Sequence, residues 1–277
     1  MRRMERHCDN VIRFFARHFV SLACVHEPPA EATKADIGTF DISGFIMSVR
    51  ACWFWVTAGH VIDEVDKLLA KGRRITQCGL LDSWGEGAQY QNTLPVEYEE
   101  LRKGRIGAEH DFDCAIYPLS LLYRQALERN NVQALNEDSW SAAPGPESVD
   151  CYYLLGIPCL LTSVRKNEPG GGPRVQVWPE CTFHYVEPLV EHPAHFSGEP
   201  APRIYGRIHV EKPQLLPHIK GMSGGPLFAM KRDPEGRVRY WLAGIQSSWH
   251  KPTRTIAACP VKPLADALAR VIEQAGE

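Results

Sequence analysis

Ser223 and His60 sit in the segments of this chain that could do chemistry together: residues 221–226 read Gly-Met-Ser-Gly-Gly-Pro and residues 57–60 read Thr-Ala-Gly-His. A serine hydroxyl is a poor nucleophile at neutral pH. It needs a base within hydrogen-bond reach to take its proton, and it needs donors aimed at the oxyanion that develops. The glycines bear on the second need. Gly221, Gly224 and Gly225 let the backbone take positive φ and run close to a substrate, so the amides of Gly221 and Ser223 can point at one carbonyl oxygen. Taken singly, a glycine-rich serine segment is also ordinary turn chemistry and a lone histidine is more often structural.

An imidazole that works as a base needs a carboxylate to orient it and to stabilise the imidazolium. Between His60 and Ser223 the chain reads Glu109-His110-Asp111-Phe112-Asp113-Cys114-Ala115-Ile116-Tyr117-Pro118-Leu119. Asp113 opens a short apolar run, where a carboxylate would enter the interior at the start of a strand. Asp111 would share a face with it on an extended strand, so geometry alone leaves both open.

The order His, Asp, Ser and the three local contexts resemble the trypsin-like serine peptidases of the chymotrypsin fold, nearest the disulfide-free bacterial branch that includes the HtrA-type peptidases. The matching segments are Thr57-Ala58-Gly59-His60, Asp113-Cys114-Ala115-Ile116 and Gly221-Met222-Ser223-Gly224-Gly225-Pro226-Leu227. Ser43-Gly44-Phe45-Ile46-Met47 resembles the strand before the histidine, and Leu242-Ala243-Gly244-Ile245-Gln246-Ser247 the strand after the nucleophile, so the likeness spans roughly residues 40–260. The resemblance implies an all-β fold of two packed six-stranded antiparallel β-barrels. It also implies His60 as base, Ser223 as nucleophile, the amides of Gly221 and Ser223 as oxyanion hole, and a protein or peptide substrate. Alignment to the Asp-x-Ala pattern selects Asp113 over Asp111 as the orienting acid.

Composition fits that expectation. A double barrel commonly occupies such a length, 277 residues, as one packed unit. With 31 basic against 33 acidic residues the net charge is −2, which gives no electrostatic commitment to nucleic acid or a membrane surface. Nine cysteines, at 8, 24, 52, 78, 114, 151, 159, 181 and 259, are odd in number and scattered. Secreted trypsin-like enzymes usually carry a cysteine directly after the catalytic histidine, where this chain has Val61. Reduced, buried thiols and a cytoplasmic setting are therefore expected. Cys181 and His184 have a tolerable ligand spacing but no second pair accompanies them, so neither a metal nor a cofactor is expected.

Val11, Phe14, Phe15, His18 and Phe19 recur with helical period and predict an amphipathic N-terminal helix ending at residue 19. Arg13, Arg17 and His18 interrupt the apolar run too often for a secretory core, and no stretch approaches a membrane span. The first lobe, with His60 and Asp113, is read as 20–122, the second, with Ser223, as 149–260. Residues 123–148 look linker-like and end in Ala143-Pro144-Gly145-Pro146. Residues 261–277 close the chain with a helix, its apolar stripe at 264, 268, 271 and 272. Residues 186–205, rich in Pro and His, read as a long loop facing the substrate.

Specificity is less legible. In the family the side-chain pocket is lined just upstream of the nucleophile and along the strand after it, which implies His218, Lys220, Ser247, Ser248 and Trp249 here. No carboxylate stands in either segment, which disfavours a preference for Arg or Lys, since a buried cation needs a counter-charge. Met222 takes the place where secreted relatives have an aspartate that pairs with a newly cut N-terminus, so that mode of activation is closed, and the loop must be shaped by packing around Met222 or by a partner or ligand. A catalytically idle scaffold of the same fold is the rival function.

Overall fold

The computed structural model describes residues 10–29, 37–85, 93–106, 112–159, 163–167, 174–198, 202–209 and 219–276. Its strands carry runs of buried residues, unbroken over Phe45–Val49 and over 54–57, 226–229 and 255–259. In the first half, β1 (Ser21–Glu27), β2 (Gly38–Ile42), β5 (Arg74–Leu81) and β6 (Thr93–Pro95) form one sheet in the order β2-β1-β5-β6. The strands β3 (Phe45–Val49), β4 (Cys52–Thr57) and β7 (Ala115–Pro118) form another, in the order β3-β4-β7. Between them lies a core that includes Leu22, Ile46, Trp55, Leu80 and Tyr117, together with Ile62 and Val65 of helix α2 (Gly59–Ala70).

In the second half, β8 (Cys151–Gly156), β11 (Thr182–Leu189), β12 (Ile204–Ile208), β13 (Pro226–Arg232), β14 (Val238–His250) and β15 (Thr255–Pro260) close into a six-stranded antiparallel barrel. Its interior is filled by side chains such as Tyr152, Leu154, Val186, Leu227 and Ile256. A separate hairpin, β9 (Ser163–Asn167) with β10 (Arg174–Trp178), stands outside that barrel.

Only one of the two expected barrels is closed. The two sheets of the first half are tied along one side by the Phe19 to Phe45 bridge and by backbone bonds from Val20 to Gly44 and from Ile46 to His18. On the other side β6 is three residues long and ends at Pro95, which has no N–H to extend a ladder. The chain then turns into α3 (Tyr98–Lys103), and the Ile106 to Ile116 bridge is the pairing at that edge among the described residues.

A third apolar cluster joins the halves. Helix α1 (10–16 of the described residues) supplies Phe15, whose ring lies 4.9 Å from Phe228, 5.0 Å from Phe183 and 5.0 Å from Tyr240 of the second half. The closing helix, α6 (Val261–Gly276), buries Leu264, Ala265 and Leu268 in the same cluster as Phe45, Val56 and Ile245. Burying each of the larger of these side chains, such as Phe45 and Leu264, stabilises the junction by about 1.5–3 kcal/mol. The stretch between the halves holds α4 (Leu121–Arg129) and α5 (Glu137–Trp140), with Leu127, Leu135 and Trp140 buried, and Leu135 forms a parallel bridge to Met47. Residues 186–205 are partly regular: β11 runs to Leu189, a 3-10 turn spans Ala194–Phe196 and β12 begins at Ile204. Among the described residues no helix is long and apolar enough to cross a membrane.

Candidate active site

β4 delivers His60. Phe54, Trp55, Val56 and Thr57 are buried, and the strand ends at Ala58, which caps α2, so His60 stands in that helix's first turn at the rim of the lobe. β7 delivers Asp113. Its pairing with β4 puts Ala115 opposite Thr57, and the two residues before Ala115 then run beside Ala58 and Gly59, which brings Asp113 next to His60. Asp113 holds His60 twice: Oδ1 accepts the His60 backbone N–H at 2.8 Å and Oδ2 accepts Nδ1–H at 2.6 Å. With Nδ1 committed to the carboxylate, Nε2 is the nitrogen left to take a proton.

Electrostatics follow from that contact. Burial pushes the His60 pKa down, but the hydrogen bond and charge of Asp113, with Asp63 and Glu64 nearby, outweigh it and leave the imidazole above its ordinary value. Burial pushes Asp113 up. The hydrogen bond and charge of His60, with the Arg203 charge, reverse this and leave the carboxyl below its ordinary value. Asp111, the competing acid, lies outside the described residues.

Ser223 sits in the tight turn before β13. Gly224 N–H donates to the Gln246 carbonyl at 2.9 Å and Gln246 N–H donates to the Gly225 carbonyl at 3.0 Å, which clamps the turn to β14. Gly224 has φ +92°, and a Cβ there would strike Thr57 Oγ1 and the Ser43 carbonyl and come within 2.9 Å of the Ala58 nitrogen. The residue after Ser223 is thus pressed against the end of the strand that carries His60. No hydrogen bond joins Ser223 to His60 among the described residues; unliganded sites commonly tighten only on substrate.

The turn also presents backbone donors. The Lys220 carbonyl accepts from Cys159 N–H at 2.8 Å, the Gly221 carbonyl from Ser43 Oγ at 3.0 Å and the Met222 carbonyl from Gly225 N–H at 2.9 Å. None of these peptides is cis, so each N–H projects opposite its anchored carbonyl. The Gly221 and Ser223 amides have no acceptor among the described residues. Gly221 reaches this conformation at φ +102°, where a side chain would run into Cys159 and the Ile157 carbonyl.

No protein-family model matches the chain, and no curated relative matches it. Among solved structures it is similar to Deg5, at 15% identity over 96% of this chain and 93% of that one, with a TM-score of 0.46. It is also similar to the protease Anisep from Arthrobacter nicotinovorans, at 14% identity over 88% and 90% and TM-score 0.44. A thermostable serine protease, AL20, from an extremophilic microorganism follows at 12% identity over 89% and 92%, TM-score 0.44. Likenesses of this size say nothing about the activity of this chain.

The residues expected to line a specificity pocket are spread in burial. Lys220 is exposed, Ser248 and Trp249 are half-buried, and His218 lies outside the described residues. Ser247 is buried and donates its hydroxyl to the Ala257 carbonyl at 3.2 Å. Sequence reasoning missed two side chains. Gln246 is buried; its Nε2 donates to the Ser248 carbonyl at 3.1 Å while its Oε1 has no partner among the described residues. Ser43 is fully buried and touches the Ser223 turn at the Gly221 carbonyl from the opposite lobe. A polar residue beside a glycine inside an apolar strand pattern was the available signal for Ser43, and a glutamine between Ile245 and Ser247 for Gln246.

Proposed function

We propose that this chain is a trypsin-like serine endopeptidase with a chymotrypsin-like fold, acting on protein or peptide substrates through an acyl-enzyme. Ser223 Oγ attacks the scissile carbonyl while His60 Nε2 takes its proton, and Asp113 stabilises the imidazolium. The oxyanion is held by the Gly221 and Ser223 amides. His60 then returns the proton to the leaving amine, and a water activated by the same imidazole hydrolyses the ester to release the acid. Lys220, Ser247, Ser248 and Trp249, with His218, would border the bound side chain, and the edge of β14 would pair with the substrate backbone.

The observation that carries this reading is the doubly held His60 across from a turn whose two amides lack acceptors, with Gly224 wedged against Thr57 between them. A neutral imidazole base and preset oxyanion donors are what acyl transfer needs. The test is labelling with a fluorophosphonate probe followed by peptide mapping. Covalent label on Ser223, absent in His60→Ala, is expected; an unlabelled, folded wild-type protein would reduce the fold to a binding scaffold.

A further inference from the structure

The buried Ser43 hydroxyl spans the two lobes. It donates to the Gly221 carbonyl at 3.0 Å and accepts the Ile157 N–H at 2.9 Å, both in the second half of the chain. Its own carbonyl accepts Thr57 Oγ1 at 2.7 Å, on the strand that carries His60. Ser43 has no exposed surface. With a lone pair occupied by Ile157 N–H, the single hydroxyl proton is directed at Gly221, so the arrangement has one sense.

We propose that Ser43 is the positioning residue of the oxyanion hole. The peptide it grips, Gly221 to Met222, lies between the two donor amides. Rotation of that peptide would turn the Gly221 and Ser223 N–H groups out of convergence. The flanking carbonyls of Lys220 and Met222 are held by backbone donors, Cys159 and Gly225; the central peptide donates its N–H to the Ile219 carbonyl at 2.9 Å, and its carbonyl is held by a side chain of the opposite lobe. Because the same residue accepts from Thr57 and its carbonyl abuts Gly224, the hole and the His60 strand are set by one buried hub. This supplies in a neutral form the constraint on the turn that Met222, lacking charge, cannot supply through an ion pair. A preset hole stabilises the transition state rather than the bound substrate, so Ser43 acts on kcat more than on KM.

The inference rests on the peptidase reading, and the experiment separates the two. In Ser43→Ala, kcat on a cleavable peptide should fall by about 10- to 100-fold, with KM changed less than about twofold. Affinity for a peptide boronate should fall in parallel, while affinity of the same peptide for a Ser223→Ala background should not. Ser43→Gly, which leaves room for a bridging water, should recover part of the loss, and it supplies the same readouts if Ser43→Ala does not fold. Hydrogen exchange across residues 219–224 should quicken in both variants, whether or not the protein cleaves anything. Unchanged kcat with unchanged exchange would overturn the proposal, as would a KM effect larger than the kcat effect. Wild-type protein that takes no probe on Ser223, yet shows quickened exchange on Ser43→Ala, would instead retain the anchor and sink the peptidase reading.

Discussion

Asp113 grips both the ring and the backbone of His60, with Oδ2 at 2.6 Å from Nδ1 and Oδ1 accepting the main-chain N–H at 2.8 Å. One carboxylate therefore sets the imidazole's tautomer, its tilt and the helix turn from which it projects. An amide could keep the backbone contact through its oxygen, but its NH2 would face Nδ1 and force the wrong tautomer.

Asp113→Asn is accordingly expected to retain the fold and to lower kcat by about 10⁴-fold, and Ser223→Ala and His60→Ala by as much or more. Combining any two should add little, because the three act as a unit. Asp111→Asn should have a far smaller effect. Turnover on a protein substrate decides it, and a disabling Asp111→Asn beside a mild Asp113→Asn would reassign the acid.

The pH dependence has opposite signs for stability and for activity. Because the His60 pKa is raised in the folded state, the stabilisation from the imidazolium and Asp113 is fully present below about 6.5, the unfolded value, and is lost as pH rises through the folded value. Asp113, with a lowered pKa, contributes stability above about 3.9 that is lost as pH falls through its folded value. Activity requires the neutral base, so kcat/KM should climb with pH through a midpoint above about 6.5. A pH–rate profile with a midpoint well below that value would contradict the arrangement.

Met222 is fully buried, with Sδ 3.8 Å from Thr182 Oγ1, which in turn contacts His184 Nε2 at 2.9 Å. Burial pushes the His184 imidazole down to about 4, so at neutral pH it offers no cation to this cluster. Met222→Asp would bury a carboxylate without a counter-charge and is expected to cost about 3–5 kcal/mol in denaturant unfolding. By the same logic a new N-terminal ammonium finds no partner there. Intact-mass measurement should show probe label on chains that keep their original N-terminus apart from methionine removal; label confined to trimmed chains would refute this.

Cys24 and Cys78 face each other across β1 and β5, in register, with sulfurs 3.0 Å apart. Cross-strand partners have Cα separations within the range a disulfide spans. Eight described cysteines are free, and protein kept in reductant should yield nine alkylatable thiols after denaturation. Treatment with hydrogen peroxide should join this pair, two thiols and one peroxide giving one disulfide and two waters, with Cys78, the less buried of the two, attacking the peroxide. Peptide mapping should find a Cys24 to Cys78 crosslink and seven remaining thiols; stable sulfinic acid at Cys78 without a crosslink would contradict the geometry.

The residue types of the candidate site were legible in the chain because the serine, the histidine and the glycines beside them sit in short segments whose local chemistry is self-contained. So was the closing helix, which a single apolar stripe specifies. Which side chains would hold those segments together was not legible. Ser43 and Gly221 are far apart in sequence, and their contact follows from how the two halves pack through Phe15, Phe45 and Leu264. The open side of the first lobe was equally hidden. Short apolar runs specify strands, but closure depends on whether β6 and β7 reach the same register, and Pro95 and α3 intervene. Burial of Leu135 and Trp140 gave structure to a stretch that composition alone marks as a linker, since local propensity there is weak and tertiary contact outweighs it. Local segments thus determined which residue types could do chemistry. Long-range packing, which no short pattern encodes, decided how Asp113 meets His60 and how the Ser223 turn lies against the end of the His60 strand.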